Sequence, residues 1–150
     1  MAGTNAVAFK QALIEKIAAI PAIQTMGIQV AYSWPGPTFE RECVHGGRVE
    51  GQGEYATFAG GRARLPRDET LTVFLYVVVR MPGGDAYDVE TRACQIGQEI
   101  ENGIAAAPQF DTVAGMLWAT ITGVQLDSDA DDDAWSAVLE YQIAVRSRLN

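Results

Sequence analysis

Leu71-Thr72-Val73-Phe74-Leu75-Tyr76-Val77-Val78-Val79, halted by Arg80-Met81-Pro82-Gly83-Gly84, is the stretch on which the fold turns. Its Val, Phe and Tyr content predicts a strand over 71–81. Leu71, Val73, Leu75, Val77 and Val79 make one face, and Thr72, Phe74, Tyr76, Val78 and Arg80 the other. The second face is still too apolar for open solvent, so this strand expects a covering on both sides, from its own chain or from a neighbouring subunit.

Working toward the C-terminus, Asp85 follows the Pro-Gly-Gly turn and suits a helix N-cap, with Asp88 placed to complete a capping box. Val89, Ala93, Ile96, Ile100 and Ile104 then recur on one helical face up to about Ala107, where Pro108 stops the run. Gly97 and Gly103 weaken this helix and allow a neighbouring element to come close. Met116 to Leu126 alternates, with Trp118, Thr120, Thr122 and Val124 against Leu117, Ala119 and Ile121. After the acidic stretch Asp127 to Asp133, the apolar residues Trp135, Ala137, Leu139, Tyr141, Ile143 and Val145 alternate with mostly polar ones. A helical face also runs through Trp135, Val138, Leu139, Gln142 and Val145, but strict alternation decides for a strand. The two runs form an antiparallel hairpin.

Toward the N-terminus, Thr4 or Asn5 caps a first helix whose apolar stripe is Phe9, Leu13, Ile17 and Ile20, ended by Pro21. Gly27 to Tyr32 reads as a strand. Residues 38–69 are the least regular third, a flexible arm or hairpin in which Arg48 to Ala59 reads as a strand or loose hairpin between joints at Gly46-Gly47 and Gly60-Gly61. Arg48, Arg62, Arg64 and Arg67 make it the most basic part of the chain. Two readings stand for it, a solvated loop or an arm that meets a partner's acidic surface. The whole predicts an α+β fold in a single domain over 1–150. A mainly antiparallel sheet of four to five strands packs against two helices in the order α-β-β-β-α-β-β.

Composition excludes several functions. A chain of 150 residues with 48% apolar and 20% charged residues is an ordinary globular one. A net charge of -8 lacks the basic footprint of a general nucleic-acid binder. The longest apolar run is far short of the roughly 20 residues that span a bilayer, and no leader segment is visible. Two distant cysteines suggest neither a disulfide framework nor a zinc site.

The search for chemistry ends without a catalytic set. His45, the only histidine, lies two residues from Cys43, but no recognisable motif supplies an orienting acid or an oxyanion hole. Asp129, Asp131, Asp133 and Glu140 imitate a calcium loop, yet Ala134 stands where the turn needs glycine. Glu140 also falls inside the alternating strand, leaving a solvated tip with weak divalent binding at most. No phosphate-binding glycine loop occurs. The expectation is therefore no catalytic, metal or cofactor site. The candidate interface residues are Arg48, Arg62, Arg64, Arg67, Phe74, Tyr76, Asp129, Asp131 and Asp133.

The order of elements resembles the phage tail terminator proteins, also called minor tail or tail completion proteins. The likeness is carried by Thr70 to Arg80 into Gly83-Gly84-Asp85, by Val89 to Ala107 before Pro108, and by the runs Trp118 to Val124 and Trp135 to Arg146. It is a likeness of pattern over most of the chain. It implies a hexameric ring at the head-proximal end of a long tail, made in the host bacterial cytoplasm and carried in the virion. Such a ring ends tail-tube polymerisation and presents the head-tail joining surface. The partners it implies are further copies of the chain, the tail-tube protein and a head-tail connector or stopper, with genomic DNA passing through the lumen without specific contact. Two other readings stand beside it: a different head-tail joining component, or a small ligand-binding or enzymatic domain using Cys43 and His45.

Overall fold

The computed structural model describes residues 4–55, 67–110 and 116–149, with side chains except at 53–55, 67, 116–117 and 149. The element order is α1 (Ala6–Ala18), α2 (Pro21–Met26), β1 (Gln29–Ala31), β2 (Glu42–Tyr55), β3 (Arg67–Met81), α3 (Ala86–Ala106), β4 (Met116–Ala130) and β5 (Trp135–Leu149). The fold is α+β. One five-stranded sheet runs in the order β1-β2-β3-β5-β4. Only β1 and β2 are parallel, and every other pairing is antiparallel.

β3 is central, as its two apolar faces require. Leu71, Val73, Leu75, Val77 and Val79 point into the core together with Val44 of β2 and Leu139, Tyr141, Ile143 and Val145 of β5. α1 and α3 cover this face. The α3 stripe of Val89, Ala93, Ile96, Ile100 and Ile104 is fully or almost fully buried, matching its helical spacing. Its N-terminus carries the expected box: the Asp88 amide donates to Asp85 Oδ1 at 2.9 Å and the Asp85 amide to Asp88 Oδ2 at 3.2 Å. Before it, the 81–84 turn sets Gly83 at φ 80°, a conformation open to glycine at little cost.

Gly97 brings α3 down onto β5. A Cβ there would stand 2.3 Å from Tyr141 Oη and 2.6 Å from Leu139 Cδ2. Gly103 likewise faces Ile20 Cδ1 at 2.6 Å. α1 is pinned by a carboxylate on the sheet, because the Asn5 amide donates to Glu69 Oε1 at 2.7 Å and Thr4 Oγ1 to Glu69 Oε2 at 2.9 Å. A carboxylate at a helix N-terminus also meets the positive end of the helix dipole.

Three expectations need correction. Pro21 does not simply end the first helix: α1 stops at Ala18, and Pro21 opens α2 from its first turn, where a missing amide costs nothing. Within residues 38–69 the strand reading holds over Glu42–Tyr55, where β2 pairs with β3. Within it, Gly46-Gly47 is a bulge inside the strand rather than a joint. A Cβ on Gly46 would lie 2.6 Å from Lys10 Cε and the Tyr32 carbonyl, and one on Gly47 would lie 2.5 Å from the Tyr76 ring. Close packing, not looseness, selects glycine there. In β4, irregularities between Met116 and Ala119 and between Ile121 and Gly123 reset the alternation. Val124 therefore pairs with Tyr141 and shares the helix-bearing face with Ile121, not the face that simple counting assigns.

Candidate functional site

The face of the sheet away from the helices gathers most of the sequence candidates. A parallel β1–β2 pair obliges the intervening chain to cross back along the sheet. That connection lays Trp34 5.4 Å from the His45 ring, with Phe39 4.9 Å from Trp34. His45 stacks on Tyr76 at 5.2 Å from the other side, and its Nδ1 lies 3.1 Å from the Gly46 carbonyl. Burial holds the imidazole below its usual range, so it is neutral at pH 7. Cys43 is fully enclosed, and burial with Glu40 nearby pushes its thiol up to about 11. A buried thiol held protonated is a poor nucleophile.

Two expected interface residues on this face are occupied by their own chain. Phe74 is only 5% exposed, and the Arg48 guanidinium lies 3.7 Å from its ring centroid while donating to Glu50 at 2.9 Å. Tyr76 is half-buried, and desolvation followed by Glu140 raises its pKa. The second covering expected for β3 therefore comes in part from within the chain.

The acidic tip is built around one carboxylate. Asp131 Oδ1 accepts from the amides of Asp133 and Ala134, each at 2.8 Å, and Oδ2 accepts from Arg80 Nη1 at 2.5 Å. These donors hold its pKa at about 2, with Arg80 the largest influence. Asp131 thus forms the turn at the tip. Asp129 accepts from the next amide, that of Ala130, at 2.8 Å, and Asp133 is exposed. Among the described residues no three ligand-type side chains converge as a metal would require. Arg62 and Arg64 lie outside the described residues, and Arg67 is placed only by its backbone at the start of β3.

Sequence reading missed a second ion cluster. Asp68, buried on the same face, accepts from Arg146 Nη2 at 2.9 Å and from Arg148 Nε at 2.8 Å. The spacing of Arg146 and Arg148, two apart on a strand, could have signalled a shared partner. The cause of the depressed Asp68 pKa is these arginines, Arg148 first.

Exposed large apolar residues stand on the helices, with Val7 66% and Tyr87 75% exposed, and in two groups at the edges of the sheet. Beside β1, Tyr32 is 41% and Trp34 51% exposed. Along β4, Trp118 is 62%, Val124 59% and Leu126 40% exposed. Trp118 borders a hollow of about 380 Å³ with Ile104, Ala105, Pro108 and Ile121, which Glu101 also lines. Glu101 itself accepts from Tyr141 Oη at 3.0 Å. A wider hollow of about 700 Å³ lies between α2 and α3, where Met26, Tyr87 and Cys94 mix with Glu90, Glu99 and amide side chains. Which strands form the edges was not legible in the sequence, because strand order leaves no mark in spacing.

A scan of the chain against protein-family models and a search of curated proteins find no match.

Proposed function

We propose that this chain is a structural assembly protein of the tail terminator kind: a ring at the head-proximal end of a long phage tail that ends tube polymerisation and offers the joining surface to the head. The observation that supports it most is the pairing of unlike apolar features on opposite edges of one sheet. Trp34 and Tyr32 project beside β1, while the Trp118 hollow opens beside β4, four strands away. A knob at one edge and a hollow at the other suit heterologous, head-to-tail contact between copies, the kind that closes into a ring. Aromatic anchors in desolvated hollows are the usual centres of such contacts.

The proposal gives the chain no catalytic task. Its acidic balance suits a lumen through which DNA slides without adhering. Electron microscopy of particles made without this protein tests the reading. Overlong tails are the expected result. Tails of normal length that fail to attach to heads would instead assign the chain to head-tail joining.

A further inference from the structure

The stretch of β4 beyond the Trp118 hollow has a chemistry of its own. β4 is the last strand of the sheet and pairs only with β5, so one side of its backbone has no strand partner among the described residues. From Gly123↔Gln142 to Ala130↔Trp135 the register is unbroken. That is a straight edge of about 27 Å at 3.4 Å per residue. Natural edges are commonly guarded by charged side chains, lysine above all, or by proline or bulges. Gly123–Ala130 holds no lysine, no proline and no register shift, and its charges, Asp127 and Asp129, are of one sign, so they repel an acidic strand and admit a basic one.

Its side chains divide by face. Val124 and Leu126 stand on the helix-bearing side, exposed although apolar. Asp127 and Asp129 stand on the other, each hydrogen-bonded among the described residues only to the following amide, at 2.9 and 2.8 Å. Among the described residues neither forms an ion pair. An added strand would thus meet apolar residues with one of its faces and carboxylates with the other. Copies of this chain do not answer that pattern at their edges: β1 spans only Gln29–Ala31 and has no cation, and a second β4 brings further carboxylates.

We propose that Gly123–Ala130 is a strand-addition site for an extended, basic segment of a different protein, one in which apolar residues alternate with lysine or arginine. Main-chain bonds to the open edge supply affinity. Val124 and Leu126 receive the apolar side chains, and Asp127 and Asp129 the cations. Alternation, not positive charge alone, is the specificity.

The test uses the full chain and two synthetic peptides, Lys-Val-Lys-Val-Lys-Val-Lys and a counterpart with proline in place of each valine. Amide hydrogen exchange is followed by NMR. The expected result is slowed exchange at alternating amides within 123–130 with the valine peptide only, and binding weakened about tenfold or more by Asp127→Lys with Asp129→Lys. Equal binding of the proline peptide would reduce the effect to charge attraction and overturn the proposal. So would concentration-dependent protection of the same amides without peptide, which would make a second copy the occupant. Should the variant fail to fold, the exchange pattern of the unaltered chain with the two peptides decides the matter alone.

Discussion

Asp131 and Glu69 show how single carboxylates organise this molecule from positions that look merely acidic in the sequence. Asp131 gathers Arg80 and two turn amides. Its depressed pKa means that the bonds it makes are present above the ordinary carboxylate range near pH 4 and are lost as pH falls through about 2. The Asp131 carboxyl carbon should therefore titrate in NMR near pH 2, and Arg80→Ala should move that midpoint up toward 4. A midpoint near 4 in the unaltered chain would remove Asp131 from this role. Such roles were illegible beforehand, since a run of aspartates does not say which one accepts the turn's amides. His45 and Cys43 were the reverse case: their closeness in sequence was plain, and only burial showed the thiol to be held protonated.

Among the elements, α3 was the most legible, because its capping box, stripe and terminal proline all agree. The partner that fixes it was not visible. Gly97 reads as a weakness until β5 is seen pressed against it. Gly97→Ala should destabilise the chain by about 1–3 kcal/mol in a denaturant melt, because the rigid Tyr141 ring must move. Gly103→Ala meets only the end of the Ile20 side chain. There a gain in helix propensity of about 1 kcal/mol opposes the crowding, and the change should be near neutral. Equal losses at both sites would contradict the packing described. β2 was the least legible element. Its glycines carry the ordinary signal of a joint, yet they lie where Lys10, Tyr32 and Tyr76 press on the strand. In β4 the alternation was sound from Ala119 to Ile121 and wrong across the irregularity at 121–123.

At the scale of the whole molecule, the α+β class and the order of elements followed from periodicity, with α2 as an addition. Strand order, the single parallel pair and the identity of the edges come from tertiary packing, so no local pattern announced them. Those edges support the proposed assembly. The interface expected of Phe74, Tyr76 and Arg48 moves outward, to Tyr32 and Trp34 at one edge and Trp118 at the other. Trp34→Ala and Trp118→Ala should each prevent ring closure while leaving the fold intact, and mixing the two variants should restore a single contact and yield dimers. The most direct measurement is the native mass of the chain, alone and mixed with assembled tail tubes. The account predicts a closed cyclic oligomer, in solution or on tube ends, that both tryptophan variants abolish. A strict monomer that leaves tube ends unbound would contradict it.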